Sequence, residues 1–581
     1  MQRPMIDRAW VAPVFLAAVV TAVLLPSQPW SHAVGHPTSD LGDHLQGIWW
    51  FGGEILEGRW PLRSTQTHFP SAPPLWFPDP VGGLLALPLR PLGPVRVYNG
   101  VVFLQLWLSG LAAWGMARDL GAQPAGALLA GLFLSVSPFL LGLVHSGVTE
   151  SLGLGPVVLY VWALLRATGR TPGEHKPKRW AFLWAGLALM LVGLQSPVYL
   201  AGGILLAGGC ALGCFSLLPR RVATMAGIMA VAAGPMLLLR GVIQSTLGRG
   251  GVVSREMAPG WLPDGLPATD LLGFFQPGAH YFPDTPALGN PGVLHVHYLG
   301  WMALGLVVLG WRRAPWLRVP TVVLGILCLG PSLCVAGTHL PSLESPLLLP
   351  LSMIFMDGSP VDFIHHPYRL VGVLLPLLAL LLAHGAGRLQ ARWIALVGAV
   401  MVAESLLISP VPWPLPATDA QAPSIYAQLP PGPVMDWPPD ATDWNRRYLR
   451  WQASHGRATA YGVNTVFPDA ARHDAVLWQS FFHLADSAAL LQNRDTQGQP
   501  PKTTTQPRTL AQQGFSALVF HGEALSVRDR ARTRRRLERA YGPAVAVDGE
   551  TLGWVLGRTE AGESAGRHGR GEAGGEALED R

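Results

Sequence analysis

Eleven long apolar stretches constrain the fold of this chain more than any other feature of its sequence. Each is about 17 to 25 residues long, the length of a helix that crosses the hydrocarbon core of a bilayer. They cover residues 9–26, 97–117, 124–144, 149–166, 180–196, 197–218, 222–240, 296–311, 319–337, 369–387 and 392–410. Hydrophobic residues make up 49% of the chain and charged residues only 13%. The sequence therefore predicts a mainly α-helical, polytopic membrane protein with about eleven transmembrane helices.

Prolines and cysteines refine this interpretation. Pro197 divides a long uncharged run into two helices of a tight hairpin, because proline disrupts a helix interior. Pro26 follows the first stretch without a small-residue cleavage site, which indicates a retained membrane anchor rather than a signal peptide. The four cysteines lie inside apolar segments, so neither a disulfide framework nor a zinc site is expected.

The orientation in the membrane follows from the positions of Lys and Arg. If the N-terminus is cytoplasmic, the cytoplasmic segments hold fifteen Lys and Arg residues, and the short loops on the other side, near Ser146 and Gln195, hold none. The positive-inside rule thus predicts a cytoplasmic N-terminus and an extracytoplasmic C-terminal region, in the inner (cytoplasmic) membrane. Because the basic residues are dispersed between apolar runs, the net charge of +6 does not indicate nucleic-acid binding.

Long outer segments are expected to carry the function. Residues 1–410 form the predicted transmembrane domain, whose outer loops are 27–96, 241–295 and 338–368. Loops of this length are usually functional or disordered. Residues 411–559 are predicted to form a small extracytoplasmic α/β domain, and residues 560–581, rich in Gly, Glu, Ala and Arg, a disordered tail.

The predicted C-terminal domain has the pattern of a soluble protein. Strands are expected at Gly432–Trp437 and Ser516–His521, and an amphipathic helix at Ala475–Leu491. Ser526, three residues before Asp529, is typical of a helix N-cap, and Asp548-Gly549 of a hairpin turn. The helix that follows Ser526 carries seven arginines, which either form a solvated charged face or contact anionic lipid head groups.

The first outer loop contains the most informative polar motif, Ser39-Asp40-Leu41-Gly42-Asp43-His44. Asp40 and Asp43, three residues apart, would share one face of a helix. Two carboxylates at the membrane surface can act as a general base and its neighbour, or hold a divalent cation. The alternative is structural: Asp40 is an N-cap and Asp43 a first-turn acid that interacts with the helix dipole.

Aromatic residues follow this acidic motif directly. Trp49, Trp50 and Phe51 belong to an amphipathic segment that would suit a helix at the membrane surface, with the indoles at head-group depth. Together with His44, the two tryptophans are therefore candidates for lining a substrate cavity.

Several motifs along the chain resemble those of the GT-C class of polytopic glycosyltransferases, in particular a prokaryotic branch with a C-terminal outer domain. Beside the acidic motif these are Trp60-Pro61-Leu62 with Phe77-Pro78-Asp79-Pro80, Ser137-Pro138-Phe139 with His145, the segment from Asp270 to Pro277, Tyr298-Leu299-Gly300, and His366-Pro367-Tyr368-Arg369. The resemblance covers most of the chain, and its strength lies in the order of the motifs.

The resemblance implies an inverting transfer from a polyprenyl-phosphate sugar on the outer face of the membrane. A carboxylate in the first outer loop would deprotonate the acceptor hydroxyl, and the polyprenyl phosphate would leave. By position, Asp43 matches the base and Asp40 its partner. This chain departs from the better-known members because Leu41 and Gly42 separate its two acids, whereas those members carry adjacent or nearly adjacent acids.

A leaving phosphate requires positive charge at the outer surface. Arg369, beside His365 and His366, is the first candidate for this contact, and Arg240 is the second. The alternative for Arg369 is an interfacial anchor. His145 and Glu150, on either side of the loop before the fourth stretch, are candidates for the same cavity or ordinary polar turn residues.

The remaining polar residues carry weaker hypotheses. A metal site formed by His295 and His297 with His365 and His366 is disfavoured, since side chains two residues apart diverge on a helix. Glu404 lies inside the last stretch, where an ionisable group is a functional candidate or reaches the interface. Two other functions stay open: a transporter or flippase of lipid-linked saccharides, and a catalytically inactive scaffold of envelope assembly.

Overall fold

A computed structural model gives the architecture of most of the chain. It describes residues 10–71, 77, 79–167, 179–212, 227, 268–277, 294–341, 347–350, 352–355, 364, 366–387, 389–439, 444–462, 468–481 and 509–556. Up to residue 410 these residues are mostly helical. The helices are α1 (Val11–Leu24), α2 (Leu41–Leu56), α3 (Pro80–Ala86), α4 (Pro94–Asp119), α5 (Pro124–Val136), α6 (Pro138–His145), α7 (Gly155–Ala167), α8 (Arg179–Gln195), α9 (Pro197–Leu212), α10 (Trp301–Trp311), α11 (Arg318–Leu329), α12 (Val371–Ala386) and α13 (Ala391–Ala403).

Helices are present in ten of the eleven apolar stretches, and of the stretch 222–240 the structure describes residue 227 alone. Of the described helical segments, four are long and apolar enough to cross a membrane: Pro94–Asp119, Pro124–His145, Thr149–Ala167 and Pro367–Ala386. Val11–Ser27, Trp180–Gln195, Pro197–Cys210, Trp301–Trp311 and Pro315–Leu329 are apolar but shorter. The chain therefore has apolar helices typical of a membrane protein, and the number of eleven spans stays a prediction.

The stretch 124–144 differs from the single helix expected there, because it breaks between α5 and α6. Ser137 has an extended backbone with φ −60° and ψ 145°, and its Oγ accepts a hydrogen bond from Leu140 N at 3.3 Å. A residue before proline avoids the helical conformation, so Pro138 explains the break. The cap on α6 lets the chain resume a helix at once.

Glycines allow the helices around α12 to approach closely. A Cβ on Gly310 of α10 would lie 1.9 Å from Leu381 O, and one on Gly385 of α12 would lie 2.0 Å from Leu306 O. On the other side, a Cβ on Gly126 of α5 would lie 2.2 Å from Ala383 O. Small residues at such crossings are the usual means of packing helices in a membrane, where the hydrophobic effect does not drive association.

Glu404 stabilises the start of α10 from a neighbouring helix. It begins a π-helical turn, Glu404–Ile408, that continues α13. Its carboxylate accepts hydrogen bonds from the Tyr298 hydroxyl at 2.5 Å, from Trp301 N, and from Met302 N at 3.1 Å. Backbone N–H groups at a helix N-terminus lack partners within the helix, and an anion there is favoured by the helix dipole. These contacts explain the position of Glu404 by a structural role, as a cap of α10, so neither a catalytic role nor contact of its side chain with the membrane interface is needed.

We predict that Glu404→Ala destabilises the protein without impairing its chemistry. Loss of a cap costs about 0.5–2 kcal/mol, and hydrogen bonds to a buried charge contribute about 1.5–3 kcal/mol each. The midpoint of thermal unfolding of the purified protein should therefore fall clearly, and Glu404→Gln, which keeps one acceptor oxygen, should have a smaller effect. An unchanged midpoint combined with lost activity would contradict the structural role.

The described residues after 410 contain most of the β-structure. Near the membrane part, β1 (Ala33–Val34) pairs with β4 (Ala417–Thr418), and β2 (Cys334–Val335) pairs with β3 (Thr338–His339). A four-stranded sheet follows, in the order β5-β6-β8-β7, from β5 (Val434–Trp437), β6 (Ala517–His521), β7 (Ala546–Asp548) and β8 (Thr551–Val555). Strands β5 and β6 are parallel, with Val434 opposite Ala517, and the other pairs are antiparallel. The helices of this part are α14 (Ile425–Gln428), α15 (Trp444–His455), α16 (Asp469–His473), α17 (Ala475–Phe481) and α18 (Val527–Tyr541).

The structure contains the strands, the turn and the helix cap that the sequence predicts for this part. Both expected strands are present as β5 and β6, and Asp548-Gly549 connects β7 to β8 with φ +60° at the glycine. Ser526 Oγ accepts a hydrogen bond from Asp529 N at 3.2 Å and caps α18. The helix expected at 475–491 is described as far as Phe481, and its remainder, like the tail 560–581, lies outside the described residues.

Residues 27–96, the predicted first outer loop, contact this C-terminal part of the chain. Phe69 N donates to Thr459 O at 2.9 Å, and Thr459 N donates to Gln66 O at 2.8 Å. The Phe69 ring packs edge-on against Phe515, with a centroid distance of 5.0 Å. Helix α15 also packs on α2. The predicted boundary at residue 411 thus separates two segments that share backbone hydrogen bonds and an aromatic contact.

Candidate functional site

The acidic motif of the first outer loop forms the N-terminus of α2. Asp40 occupies the N-cap position but its side chain makes no capping hydrogen bond. Ser39 Oγ instead accepts from Leu41 N at 3.2 Å. The Asp40 carboxylate pairs with Arg446 of α15, with 2.7 Å between Oδ1 and Nη2. Asp40 and Asp43 thus stand at the N-cap and in the first turn, the positions that the structural alternative gave them, but the Asp40 carboxylate contacts an arginine of the C-terminal part instead of the backbone of α2.

Asp43 lies one helical turn further along and is buried, with 8% of the residue exposed. No hydrogen bond to its carboxyl group comes from any residue in the described ranges. The pKa of Asp43 is raised from 3.8 to about 6, chiefly by burial and also by Asp40, while Arg446 and His44 act to lower it. A carboxylate whose pKa lies close to neutrality is suited to accept a proton from a hydroxyl group during catalysis.

His44 connects the acidic motif to the start of the fourth apolar stretch. Its Nδ1 lies 2.9 Å from Thr149 Oγ1, and its Nε2 lies 3.1 Å from Glu150 Oε2. Glu150 Oε1 in turn accepts a hydrogen bond from Arg369 Nη1 at 3.4 Å. His44, Glu150 and Arg369, distant in sequence, therefore form one chain of polar contacts.

Arg369 brings the predicted phosphate-binding residue into the same site. It lies in a 3-10 turn, Pro367–Leu370, that leads into α12. It interacts electrostatically with Asp40 as well as with Glu150. Within the described part of the chain, Arg369 Nε is buried and has no hydrogen-bond partner. A buried guanidinium donor of this kind is costly to leave unpaired, and an anionic ligand would satisfy it.

A group of aromatic and histidine rings lies next to Arg369. The centroid of His295 is 5.4 Å from that of His366 and 5.0 Å from that of Tyr368. Burial, together with the nearby Arg369 and His297, lowers the pKa of His295 to about 3. His295 is consequently neutral at physiological pH and adds no positive charge to the site. His366, predicted to assist Arg369, lies beside it, whereas His365 and Arg240 lie outside the described residues.

Asp79 is a carboxylate of this region that was not predicted as a site residue. It is fully buried and caps α3, and its carboxylate accepts hydrogen bonds from Gly82 N at 2.7 Å and from Gln105 Nε2 at 3.2 Å. Burial raises its pKa, and His44 and Glu150 act on it electrostatically. The signals in the sequence are the Asp-Pro pair, which is typical of a helix start, and the place of Asp79 in the motif Phe77-Pro78-Asp79-Pro80.

The tryptophans of α2 do not have the expected surface position. Trp50 is only 2% exposed and Phe51 8%, and both pack in the main hydrophobic core. Trp49 is half-buried, and the Arg90 guanidinium lies 3.9 Å from its ring centroid. Helix α2 is covered by α3 and α4 and by α15, so its aromatic residues contact protein rather than lipid head groups.

His145 lies beside the site rather than within the chain of polar contacts. Its ring stacks on His36 with a centroid distance of 5.3 Å, and its backbone oxygen accepts from His36 N at 2.8 Å. It therefore helps to hold the segment that precedes the acidic motif. Across the described residues, no group of three His, Cys, Asp or Glu side chains has the geometry to hold a metal ion.

Comparison with known proteins gives matches in structure only. No family model and no curated protein matches the sequence. The arabinofuranosyltransferase AftD from Mycobacteria matches with 15% identity and a TM-score of 0.49, over 94% of this chain and 40% of that chain. The apo oligosaccharyltransferase from Archaeoglobus fulgidus matches with 10% identity and a TM-score of 0.49, over 90% and 70%. ArnT from Cupriavidus metallidurans, bound to undecaprenyl phosphate, matches with 14% identity and a TM-score of 0.41, over 95% and 99%.

All three of these proteins are GT-C glycosyltransferases, the class whose motifs this chain resembles. The chain spans 40% of the length of AftD, and each of the three TM-scores lies below 0.5. Function, substrate and acceptor are therefore inferred from the residues of this chain.

Proposed function

We propose that this protein is an integral membrane glycosyltransferase that transfers a sugar from a polyprenyl-phosphate donor to an acceptor of the cell envelope. The observation that supports the proposal is that the predicted base and the predicted phosphate-binding arginine lie in the same region of the structure. The acids Asp40 and Asp43 lie at the start of α2 beside His44, and His44 is joined through Glu150 to Arg369 by polar contacts of 3.1 Å and 3.4 Å. A base and a phosphate-binding cation are the two parts that such a transfer requires.

Asp43 acts as the general base in this proposal. As the acceptor oxygen attacks the anomeric carbon, the hydroxyl proton passes to the Asp43 carboxylate. The bond from the anomeric carbon to the phosphate oxygen breaks, and its electron pair leaves with the polyprenyl phosphate. A single displacement of this kind inverts the anomeric configuration. The pKa of about 6 leaves Asp43 ionised at neutral pH but still basic enough to share a proton.

Arg369 stabilises the departing phosphate. Glu150 accepts a hydrogen bond from one end of the guanidinium, which fixes its position, while the buried Nε is available for an anionic oxygen. Guanidinium groups suit phosphate because their N–H groups form a planar fork. An interfacial anchor would require neither the contact with Glu150 nor the electrostatic interaction with Asp40.

The proposed reaction takes place on the outer face of the membrane, with the N-terminus in the cytoplasm. Two reporter fusions test this orientation. A reporter that is active only outside the cytoplasm should be active when fused after Pro416 and inactive when fused within residues 173–178. The opposite result at either position would contradict the proposed topology.

A flippase of lipid-linked saccharides is the first rival function. Midplane charges and broken helices are typical of transporters. Glu404, the ionisable residue that suggested such a role, caps α10 through three hydrogen bonds. An inactive scaffold is the second rival, favoured by the separation of the two acids by Leu41 and Gly42, and a measurement of sugar transfer separates it from an enzyme.

A reconstituted assay separates these functions. The purified protein in liposomes is given undecaprenyl-phosphate-linked pentoses and hexoses, labelled in the sugar, together with an envelope fraction as acceptor. A transferase releases undecaprenyl phosphate and moves the label into the acceptor. Movement of the intact labelled lipid across the bilayer would instead identify a flippase. If no donor gave either transfer or movement across the bilayer, the scaffold would be favoured.

A further inference from the structure

Helix α15 of the C-terminal part contacts α2 backbone to backbone at the acidic motif. A Cβ on Gly42 would lie 2.0 Å from Arg446 O, so at this position only glycine allows the two helices to approach. Arg450, one turn further along α15, donates from Nη1 to Pro37 O at 3.3 Å. The contact between the helices therefore includes the segment before Asp40 as well as the motif itself.

The Arg446 side chain reaches into the site from this contact. Its Nη2 lies 2.7 Å from Asp40 Oδ1, and its Nη1 donates to Thr38 O at 3.0 Å. The side chains of Arg446 and Asp40 are both largely buried, with 22% and 28% exposed. An ion pair at this depth is screened less by solvent than one on the surface.

We propose that Arg446 is a positioning residue of the active site, which orients Asp40 and supplies positive charge next to Asp43 when α15 is docked on α2. This inference rests on the proposed function for its catalytic meaning, but the interaction between Arg446 and Asp43 can be measured without it. The site is then incomplete without a residue from the C-terminal part, which gives that part a role in catalysis.

The electrostatic surroundings of Asp43 agree with this assignment. Burial raises the pKa of Asp43, Arg446 lowers it more than any other group, Asp40 raises it, and His44 lowers it. The other charged or titratable groups on the described elements that pack against α2 have the following interactions. Asp79 of α3 and Tyr98 of α4 interact with each other, Arg90 donates to Trp49 O, Arg447 of α15 lies over Trp451, and Arg450 interacts with Asp419.

Arg446 thus has a double effect on the base. It attracts the ionised form of Asp43 directly, and it neutralises the charge of Asp40 that would otherwise repel that form. Without Arg446, Asp43 would be protonated up to a higher pH. Because a general base works only when it is deprotonated, the pH below which transfer falls should increase.

The first experiment measures the pH dependence of transfer by the full-length protein. In the wild type, transfer should fall as the pH drops below about 6. In Arg446→Gln the falling limb should move to higher pH by about one pH unit, and the rate should recover at alkaline pH. Arg446→Lys, which keeps the charge, should lie between the two. Arg447→Gln, on the neighbouring position of α15, should match the wild type. Superimposable profiles of Arg446→Gln and the wild type would overturn the inference.

A second measurement does not depend on activity. Thermal unfolding is followed at alkaline pH for the wild type, Asp43→Asn, Arg446→Gln and the double variant. If Arg446 favours the ionised Asp43, the amide at position 43 should stabilise the Arg446→Gln protein more than the wild type. Additive effects would overturn the inference. If the effects of Asp43→Asn and Arg446→Gln on unfolding were coupled but the protein transferred no sugar, the proposed function would be refuted and the interaction between the two residues would stand.

Discussion

Asp43→Asn should reduce sugar transfer to the limit of detection while leaving the protein folded and inserted in the membrane. General-base catalysis typically contributes roughly 10²- to 10⁴-fold. The amide has nearly the same shape as the carboxyl group but cannot accept the proton. Initial rates of label transfer in the reconstituted assay, normalised to the amount of folded protein, measure the effect.

The stability of the same variant distinguishes catalysis from packing. Asp43 is buried and its pKa is raised to about 6, so at neutral pH the folded protein keeps a charge that its surroundings disfavour. The neutral amide should therefore leave the unfolding temperature unchanged or raise it. Glu57→Gln is the matched control, because Glu57 adjoins the other end of α2 and its side chain is 60% exposed. A role as base would be contradicted if Asp43→Asn lost activity together with a lower unfolding temperature. It would also be contradicted if Glu57→Gln lost as much activity as Asp43→Asn.

Arg369→Ala should weaken the use of the donor by about 10- to 100-fold in kcat/KM. A hydrogen bond to a charged group contributes about 1.5–3 kcal/mol, which corresponds to this range. Removal of the guanidinium also leaves Glu150, among the described residues, with the polar contact to His44. The donor concentration dependence of transfer measures the change.

Two further variants separate phosphate binding from anchoring at position 369. Arg369→Lys keeps the positive charge but not the planar fork, so transfer should be only partly restored. Arg318→Ala removes an arginine that donates to Trp311 O at 2.9 Å, at the start of α11. This control should leave donor use unchanged. A normal rate per folded molecule in Arg369→Ala, accompanied by a lower protein yield, would identify an anchor.

The helical part of the fold was predictable because its signal is local. Runs of apolar residues identify helices whatever the rest of the chain does, and the described helices lie in ten of the eleven stretches. The position of α2 was not predictable in the same way. Trp50 and Phe51 have the composition of interfacial residues, and only the packing of α3, α4 and α15 around them shows that they belong to the core.

The candidate site was predictable where its residues belong to recognisable local motifs. Asp40, Asp43, His44, Glu150 and Arg369 were all proposed from sequence. The structure joins His44, Glu150 and Arg369 by polar contacts and places both aspartates at the start of α2 beside His44. Arg446 was missed because nothing in the sequence indicates that α15 lies on α2. Its partner Asp40 is about four hundred residues away, and the glycine that permits the contact, Gly42, resembles any other glycine of a membrane protein.

The most direct test of the proposed chemistry is the rate of transfer by the Asp40→Asn, Asp43→Asn double variant, with undecaprenyl-phosphate-linked sugar as donor. The account predicts that purified double variant in liposomes releases no undecaprenyl phosphate above background, although it unfolds at a temperature close to that of the wild type. Transfer by the double variant at a rate comparable to the wild type would show that neither carboxylate is the base and would contradict the mechanism.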